Sequence, residues 1–359
     1  MKYFFILGRN PELSRVEVLS YLRARGVEFN EEVFEDNCLV LDIPGKFNFN
    51  IQEFGGVMKI GEIIFCGPNS EFEKFLDRDE VIPSDKFTYS VFGKEDDSVL
   101  REKFKRDKKK AVLKHGVRKL KFQDGYTVQI AKTDFSLYFS IRNDRVYLGV
   151  SKQDFDSSDS EKRDMYRPVR RSSLAISPRL SKILVNLSGA KKGNMMLDPF
   201  CGVGAVLSEA LIKGINCFGV DKDKDAIRDA EINLKWLKEN VGFNSRYTLK
   251  VMDSGRLDQG NFDAIATETP LGEVLRSKPS NSEAKGMITD FEDFIAPILD
   301  RLRKCKKKDA KISITFPVVC GNRVDCLKIA KESGLKIIEG PILESREGQF
   351  VSRDIVVFK

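Results

Sequence analysis

The chain has 359 residues, of which 41% are hydrophobic and 32% are charged, and its formal net charge at pH 7 is +7. This length predicts two or three domains with compact cores, and the positive charge favours an anionic partner, with nucleic acid as the first candidate. The seven cysteines form no C-x-x-C pair and His115 is the single histidine, which argues against a zinc site and against a histidine-based catalytic triad.

The cysteine count and the N-terminal sequence both indicate a cytoplasmic location. An odd number of cysteines fits a reducing compartment. The N-terminal sequence lacks the pattern of a signal peptide, and the apolar run at residues 3–7 is too short for a signal core or a membrane span. We therefore expect a cytoplasmic protein that has no membrane segment and binds no metal ion.

Residues 1–70 are predicted to form a small ferredoxin-like α/β unit. Apolar residues at helical spacing predict a helix from residue 11 to residue 25, which Gly26 ends. Strands are predicted at 3–7, 38–43 and 60–66. Since no residue in this unit suggests chemistry, we interpret it as a spacer or docking module.

Residues 71–150 are predicted to form a second unit that carries a dense run of positive charge. We expect a helix at 98–115 and strands at 86–92, 126–131, 137–141 and 145–150. From residue 101 to residue 121, eleven of 21 residues are Lys or Arg and two are acidic, and Phe104, Phe122 and Tyr126 lie within or beside the run. This density predicts binding to a nucleic-acid backbone, although a solvated charged face is the alternative.

A charged segment at 151–172 is predicted to link this unit to the last domain. It begins with an acidic stretch, and Lys162, Arg163, Arg167, Arg170 and Arg171 then cluster around Pro168. The segment either contacts RNA or serves as an ordinary charged linker. The candidate RNA-binding residues of the chain are Lys103, Arg106, Lys108, Lys109, Lys110, Arg118, Lys119, Arg167 and Arg170.

Residues 173–359 are predicted to form an α/β domain with a doubly wound sheet. Strands are predicted at 195–198, 217–220, 247–252, 262–267 and 312–316, with a closing antiparallel pair at 335–338 and 354–358. Helices are predicted at 205–211, 227–237, 291–302 and 324–330. This order is typical of a doubly wound sheet that ends in an antiparallel pair.

The stretch 194–221 organises this domain. Two short apolar runs end in Asp198 and Asp221, and they flank a glycine turn and a helix. Gly202 and Gly204 allow the backbone to approach a ligand that a Cβ atom would block. Asp221 follows Asp198 by 23 residues, about where a carboxylate contacts a ribose diol in this type of fold. The pattern is typical of a nucleotide-binding half-sheet.

The residues of the turn favour S-adenosylmethionine over NAD. A dinucleotide site requires a third glycine so that a pyrophosphate lies at the helix N-terminus, but Leu207 occupies that position. Asp198 precedes the turn, where its carboxylate would repel a pyrophosphate but accept a hydrogen bond from an ammonium. S-adenosylmethionine carries an ammonium, a sulfonium and a ribose without any phosphate. The alternative is an α/β domain whose glycine turn binds neither ligand.

The motif D-P-F-C-G-x-G at 198–204 closely resembles the first motif of a family of THUMP-domain tRNA methyltransferases, which methylate the exocyclic N2 of a guanosine, typically at tRNA position 10 in archaea. Further runs are similar to the family: R-D-M-Y-R-P at 163–168, S-P-R-L at 177–180, V-N-L at 185–187, F-F-I-L-G at 4–8 and P-E-L at 11–13. The resemblance implies a C-terminal Rossmann-like, seven-stranded class I methyltransferase domain. It also implies an N-terminal α+β region in which 71–150 is a THUMP-like domain that grips the 3′ end of tRNA.

The turn and the resemblance together define the expected cofactor site. The family pattern implies that Asp253, at the tip of the third strand, contacts the adenine amine. The expected cofactor-binding residues are Asp198, Pro199, Phe200, Gly202, Gly204, Asp221, Lys222, Asp253, Ser254 and Glu268.

The stretch T-E-T-P-L-G at 267–272, after the fourth strand, is expected to carry the chemistry. An exocyclic amine is a poor nucleophile because its lone pair is delocalised into the ring, so an enzyme must supply an acceptor for the N–H and a wall for the base. Related enzymes use D-P-P-Y or N-P-P-Y here. We expect Glu268 and Pro270 to be catalytic, whereas Leu271 replaces the aromatic residue. Phe200, Phe316 or an aromatic residue of the N-terminal half would then supply the wall.

Two hypotheses of different classes follow. The first is an active tRNA guanosine N2-methyltransferase, and the second is a non-catalytic or weakly active tRNA-binding relative with an altered base-holding motif. Another amine, of a different RNA base or of DNA adenine, is a further option, although the THUMP-like half argues against DNA. We expect a monomer with tRNA as its partner. The sequence leaves open the modified nucleotide, the number of methyl groups and the need for a small activator subunit such as some relatives have.

Overall fold

The structure is a computed structural model that describes most of the chain. The residues outside the description are 94, 96, 115–117, 122–126, 131, 172–175, 259, 271–274, 276 and 346–348, together with the side chains of 118–121 and 127–130. The chain divides into two compact units. Unit 1 consists of Met1–Arg15, Val27–Gln52 and Gly56–Asp156, and unit 2 consists of Val16–Gly26, Glu53–Gly55 and Ser157–Lys359.

Unit 1 is built on one eight-stranded sheet with the strand order β2-β3-β1-β4-β10-β9-β5-β6. Its strands are β1 Lys2–Leu7, β2 Asn30–Glu35, β3 Cys38–Asp42, β4 Val57–Pro68, β5 Lys86–Phe92, β6 Lys110–Leu113, β9 Phe135–Arg142 and β10 Arg145–Asp154, while β7 Arg118–Lys121 and β8 Thr127–Ile130 pair separately. The first three helices of the chain are α1 Pro11–Ala24, α2 Asn69–Arg78 and α3 Ser98–Arg106. Large aromatic side chains fill the core beside α2 and α3. The buried aromatic residues of this core include Phe72, Phe87, Tyr89, Phe104 and Phe139.

The expected boundary at residue 70 does not coincide with a break in this sheet. β4 pairs with β1 along one edge and with β10 along the other, from Arg145 opposite Pro68 to Asp154 opposite Lys59. Strands of the ranges 1–70 and 71–150 therefore share one continuous sheet. The last change from unit 1 to unit 2 along the chain lies between Asp156 and Ser157, inside the segment expected to be a linker.

The predicted helix at 98–115 is wrong in its second half. α3 ends at Arg106, Lys108 adopts a left-handed conformation with φ of 56°, and β6 then runs parallel to β5. Intrinsic helix propensity, even that of good helix formers such as lysine, is readily overridden by tertiary contacts, and the edge of β5 offers backbone hydrogen bonds that outweigh it. The basic run therefore divides between a helix, a turn and strands.

Unit 2 contains a seven-stranded sheet with the order β13-β12-β11-β14-β15-β18-β17. Its strands are β11 Met195–Asp198, β12 Asn216–Asp221, β13 Tyr247–Val251, β14 Ala264–Glu268, β15 Ile312–Val319, β17 Ile337–Glu344 and β18 Val351–Phe358, and the short β16 Asn322–Arg323 pairs with β15. Its helices are α4 Ser158–Tyr166, α5 Pro178–Leu187, α6 Ala205–Ile212, α7 Lys224–Asn240, α8 Asn281–Cys305 and α9 Cys326–Ser333. This order confirms the predicted Rossmann-like methyltransferase sheet.

The last two strands determine what lies at the edge of this sheet where ligands bind. Neighbouring strands from β13 to β15 are parallel, whereas β18 runs antiparallel to β15 and β17. The first residues of β18 therefore stand at the carboxyl end of β15: Arg353 is opposite Pro317, and Thr315 is opposite Glu268 at the end of β14.

Within the part of the chain that the structure describes, no helix is both long and apolar enough to cross a membrane.

Candidate functional site

The carboxyl ends of β11, β12 and β14 meet at a cleft with a volume of about 330 Å³. Open α/β sheets bind their ligands in the crevice at this edge. The cleft brings together a group of the predicted site residues: Asp198, Phe200, Gly202, Asp221, Glu268 and Pro270. The sequence motifs at 198–204 and 267–272 therefore converge on one surface.

The glycine turn connects the tips of β11 and β12. Gly202 and Gly204 have φ angles of +50° and +85°, a region that favours glycine, and Gly204 is the N-cap of α6. The amide of Gly202 donates to Asp221 Oδ2 at 3.0 Å, and the amide of Cys201 donates to the carbonyl of Val220 at 2.9 Å. These bonds hold the turn against the strand that carries the second aspartate.

Asp198 is 1% exposed although it lines the cleft. Its Oδ1 accepts hydrogen bonds from Thr267 Oγ1 at 2.6 Å and from the amide of Phe200 at 3.2 Å. Burial raises the pKa of Asp198 to about 7, and the charges of Asp221 and Glu268 act in the same direction. A ligand that brings a positive charge to this carboxyl would relieve that cost.

Asp221 is oriented by backbone groups, and Arg171 stabilises the loop that follows it. Asp221 Oδ1 accepts from the amide of Asp223 at 2.9 Å. Arg171 in turn donates to Asp223 at 2.6 Å and to Asp229 at 2.7 Å, and this contact lowers the pKa of Asp223. Arg171 lines the cleft as well. The sequence indicated it only as part of a basic cluster, because Asp223 and Asp229 lie more than 50 residues further along the chain.

Glu268 lies at the tip of β14 and is paired with a buried arginine. Arg353 Nε donates to Glu268 Oε1 at 2.6 Å, and the two side chains are 6% and 16% exposed. Thr269, which replaces the first proline of the related motif, donates through Oγ1 to the carbonyl of Thr315 at 2.6 Å. The amide of Thr269 also donates to Thr315 Oγ1 at 3.2 Å, so this end of β14 is held to β15 without a proline. Leu271 and Gly272 lie outside the described residues.

Several predicted cofactor-binding residues are absent from the described lining of the cleft: Pro199, Gly204, Lys222, Asp253 and Ser254. Asp253 is exposed and caps a short helical turn by accepting from the amide of Gly255 at 2.8 Å. Ser254 is buried and donates through Oγ to the carbonyl of Pro199. These two residues shape the loops beside the cleft, and their contact with a cofactor stays a prediction.

Of the aromatic residues considered for the wall of the base, Phe200 lines the cleft and Phe316 does not. Phe316 is fully buried between Phe291 and Phe358 in the core of unit 2, so its prediction is wrong. Phe200 is partly exposed, and its ring centroid lies 5.8 Å from that of Phe294 on α8. The sequence did not indicate Phe294, which is 38% exposed.

The predicted RNA-binding run contains two lysines that are structural. Lys103 is buried and pairs with Asp107 at 3.0 Å. Lys109 has a side chain that is 4% exposed, and its Nζ donates to Glu80 at 2.5 Å and to backbone carbonyls. Phe104 is a core residue. These three residues are therefore unavailable to RNA, contrary to the expectation from the charge pattern.

The other members of the run are exposed or lie outside the described residues. Arg106 is exposed and pairs with Asp77 at 2.9 Å, and Lys108 and Lys110 are exposed. The side chains of Arg118 and Lys119 are outside the described part of the chain, as are His115, Phe122 and Tyr126.

The basic cluster around Pro168 is largely occupied by ion pairs within unit 2. Arg163 pairs with the buried Glu209 at 3.1 Å. Arg167 and Arg170 both pair with Asp164, at 3.2 Å and 3.3 Å, and Arg167 is only 11% exposed. Arg167 lines the cofactor cleft, so its position favours a role at that cleft over one on an RNA surface.

The chemistry of the lining fits S-adenosylmethionine. Asp198, Asp221 and Glu268 supply carboxylates, which suit an ammonium and a ribose diol and repel a pyrophosphate. The two arginines of the described lining, Arg167 and Arg171, are paired with aspartates. Asp198 and Asp221 are thus the residues that would hold the cofactor.

Comparisons with known proteins identify methyltransferases as relatives of this chain. Residues 165–288 match the family model described as RMKL-like, methyltransferase domain. The chain is 25% identical over 292 residues to the tRNA (guanine(10)-N2)-dimethyltransferase of Methanothermobacter thermautotrophicus. The aligned region covers 79% of this chain and 81% of that protein. It is 31% identical over 132 residues to the probable tRNA (guanine(10)-N2)-dimethyltransferase of Methanothermococcus thermolithotrophicus, which covers 34% of this chain and 74% of that protein.

A solved structure shares the fold over the whole chain. TrmN from Thermus thermophilus superposes with a TM-score of 0.52 over 100% of this chain and 99% of that chain, at 13% sequence identity. At this identity the likeness concerns the fold alone.

Proposed function

This chain belongs to the tRNA (guanine(10)-N2)-methyltransferase family, and we propose that it transfers methyl groups from S-adenosylmethionine to the exocyclic N2 amine of a tRNA guanosine, with guanosine 10 as the target. The observation that carries this proposal is the convergence of three carboxylates, Asp198, Asp221 and Glu268, on one cleft at the carboxyl edge of the sheet. Two of them belong to the cofactor motif, and the third belongs to the motif that should hold the base.

The cofactor half of the site is preorganised. S-adenosylmethionine, when bound, supplies an electrophilic methyl group. Asp198 accepts from the ammonium of the cofactor and Asp221 from its ribose, and the backbone bonds to Asp221 hold that carboxylate in place before binding. Arg171 connects the loop after β12 to α7 by pairing with Asp223 and Asp229.

The base half depends on Glu268. Its carboxylate accepts a hydrogen bond from the guanine N2 amine and stabilises the positive charge that develops on that nitrogen as it bonds to the methyl carbon. The nitrogen would gain the methyl group as the methyl–sulfur bond breaks and S-adenosylhomocysteine leaves with the electron pair, and it would lose one proton, for which Glu268 is the acceptor. Pro270, which is exposed at the mouth of the cleft, limits the positions that the base can take.

Phe200 and Phe294 are proposed as the wall of the base. Stacking of a base on an aromatic ring contributes about 1–3 kcal/mol. Phe200 lines the cleft and packs on Phe294, whose ring is exposed, so the pair offers a face near the motif that lacks its tyrosine.

Unit 1 is proposed to bind the tRNA backbone in the manner of a THUMP domain. Exposed basic residues at the end of α3 and the start of β6 support this role: Lys105, Arg106, Lys108 and Lys110. A cytoplasmic location belongs to the same proposal, and it is supported by the seven cysteines, all of which are free thiols.

The test is methyl transfer from radiolabelled S-adenosylmethionine to an unmodified tRNA transcript. We expect label to enter a transcript with guanosine 10, with digestion releasing N2-methylated or N2,N2-dimethylated guanosine. A matched transcript with adenosine at this position should receive no label. A protein that binds S-adenosylhomocysteine and tRNA but transfers no methyl group to any transcript would instead be the non-catalytic relative.

A further inference from the structure

We propose that Arg353 is a positioning residue for methyl transfer, because it holds the Glu268 carboxylate in the orientation that accepts the amine of the target base. This inference rests on the proposed function, since it takes Glu268 as that acceptor. It adds to the reaction a residue on β18, outside both sequence motifs of the site.

The contact between the two residues is short and shielded from water. Arg353 Nε lies 2.6 Å from Glu268 Oε1, at the short limit of a charge-assisted hydrogen bond, and the side chains are 6% and 16% exposed. Removing two charges from water costs free energy that a buried pair regains only with good geometry. Such a pair adds little to stability, but it fixes the direction of the carboxylate.

The strand order explains why an arginine from the end of the chain reaches the cleft. Glu268 is opposite Thr315 of β15, and two residues further along β15 Pro317 is opposite Arg353. Because β18 is antiparallel to β15, its first residues stand beside the carboxyl end of β14. The Arg353 side chain therefore spans β15 to meet Glu268, across 85 positions of sequence.

The motif at 267–272 has a glutamate where related motifs have an aspartate or asparagine, and this difference explains why Glu268 requires support from Arg353. A glutamate has one more rotatable bond than the aspartate of D-P-P-Y, so its carboxylate loses more conformational freedom when it is fixed. The planar guanidinium of Arg353 is already ordered by burial and presents a donor at a defined angle. An ionised carboxylate accepts several hydrogen bonds at once, so pairing with Arg353 is compatible with acceptance from a substrate amine.

The distribution of charge around the cleft also supports this role for Arg353. Asp198, Asp221 and Glu268 all line it, and like charges at one site disfavour one another. Arg353 places a buried cation on the carboxylate of the base half, whereas Arg171 pairs with Asp223 and Asp229 beside the cofactor half. Each half of the site thus has its own arginine.

The experiment is a double-mutant cycle in the full chain with Arg353→Met, Glu268→Gln and the double variant. The readouts are the single-turnover rate of methyl transfer to the tRNA transcript and the affinity for S-adenosylhomocysteine. We expect Arg353→Met to lower the rate by about tenfold to a hundredfold and to change the affinity by less than about twofold. In the Glu268→Gln background the same substitution should change the rate by less than about twofold, because Arg353 acts through Glu268.

Arg323→Met is the matched control. Arg323, on β16, donates through Nε to the fully buried Asp354 at 2.7 Å, and Asp354 follows Arg353 on β18, so this variant also breaks an arginine–carboxylate pair of that strand. It should lower the melting temperature while the rate of transfer stays within about twofold of the parental rate. If Arg353→Met fails to fold, Arg353→Lys decides the same question, because it keeps a buried cation: its rate should fall in the parental background and not in the Glu268→Gln background.

The possible outcomes separate the inference from the proposed function. A parental protein that transfers methyl groups, with Arg353 variants that are equally fast or that slow both backgrounds alike, overturns the positioning role and leaves the function standing. A parental protein that binds S-adenosylhomocysteine but transfers nothing overturns both.

Discussion

Asp198 is the residue on which cofactor recognition should depend most. Its carboxyl is almost fully buried, and burial raises its pKa to about 7. The free protein therefore holds this group partly protonated at neutral pH, whereas a bound ammonium requires the ionised form. Ligand affinity and protonation are consequently linked at this one side chain.

We predict that affinity for S-adenosylhomocysteine increases as the pH rises through about 7. Below that pH Asp198 is neutral and the ligand ammonium lacks its partner, and above it the carboxylate is ionised. Asp198→Asn should remove this pH dependence and weaken binding at pH 8 by about tenfold or more, which corresponds to about 1.4 kcal/mol. Calorimetric titrations from about pH 6 to pH 8 measure both effects.

The exposed Asp225 on α7 provides the control for charge alone. Asp225→Asn should keep the parental pH profile. A parental affinity that stays constant over this range would contradict the linkage.

Glu268 should determine the rate of transfer and leave cofactor binding unchanged. Preorganised polar contacts to developing charge are typically worth about 2.7–4 kcal/mol, or a hundredfold to a thousandfold in rate. We therefore expect Glu268→Ala to lose nearly all transfer and Glu268→Gln to keep part of it, each with parental affinity for S-adenosylhomocysteine. Single-turnover assays with bulk tRNA transcript compare them. Glu292→Ala, which removes a mostly buried glutamate paired with Lys328 at 3.1 Å, is the control. A Glu268→Ala protein with the parental rate would exclude Glu268 from the mechanism.

At the scale of elements, the helix–strand region from α3 to β6 shows how a run of charge divides between structure and surface. The side chains of Lys103 and Lys109 are buried and pair with Asp107 and Glu80, because a buried ammonium requires a partner. Lys105, Lys108 and Lys110 remain exposed. The surface available to an RNA backbone is therefore smaller than the charge count suggests.

We predict that replacing Lys105, Lys108 and Lys110 together by glutamine weakens tRNA binding at low salt and reduces its dependence on salt. For every phosphate that the variant no longer neutralises, the slope of log affinity against log salt concentration should become shallower by about 0.7–0.9. Filter binding at several salt concentrations measures the slope. The control replaces three exposed lysines of unit 2, Lys235, Lys238 and Lys250, and an equal slope in both triple variants would identify the α3–β6 lysines as an ordinary solvated face.

At the scale of the whole molecule, unit 2 is not a continuous stretch of chain. It includes Val16–Gly26 and Glu53–Gly55 in addition to Ser157–Lys359. Glu17 is fully buried and accepts from the amide of Gly55 and from Asn186 Nδ2, each at 2.7 Å. The unit that carries the methyltransferase sheet is therefore completed by residues from the beginning of the chain.

Glu17→Ala should lower the free energy of unfolding by about 2–4 kcal/mol, because it leaves buried donors of Gly55 and Asn186 without this acceptor. Thermal and urea unfolding measure the change. Glu12→Ala, an exposed position on the same helix, should change stability by less than about 0.5 kcal/mol. Equal stability of the two variants would show that Glu17 contributes nothing to unit 2.

The glycine turn with its two flanking aspartates and the strand order of unit 2 were predicted from the sequence alone. Asp198, the glycine turn and Asp221 form one local unit of strand, turn, helix and strand, whose geometry is set by residues close together in the chain. The apolar runs that follow repeat at intervals typical of a doubly wound sheet, and such folds place the tips of parallel strands at one edge. Local spacing was therefore sufficient for these predictions.

Tertiary structure alone decided which side chains are available to a ligand or to RNA and which are buried or paired. The pairing of Arg353 with Glu268, the burial of Lys109 and Phe316, and the shared sheet of residues 1–70 and 71–150 all depend on contacts between distant parts of the chain. Local preference cannot identify the partner of a buried charge or the edge that a strand will join, because both are determined when long-range strand pairing brings remote residues together. The antiparallel course of β18, which brings an arginine to the edge of the sheet where the cleft lies, is the clearest instance.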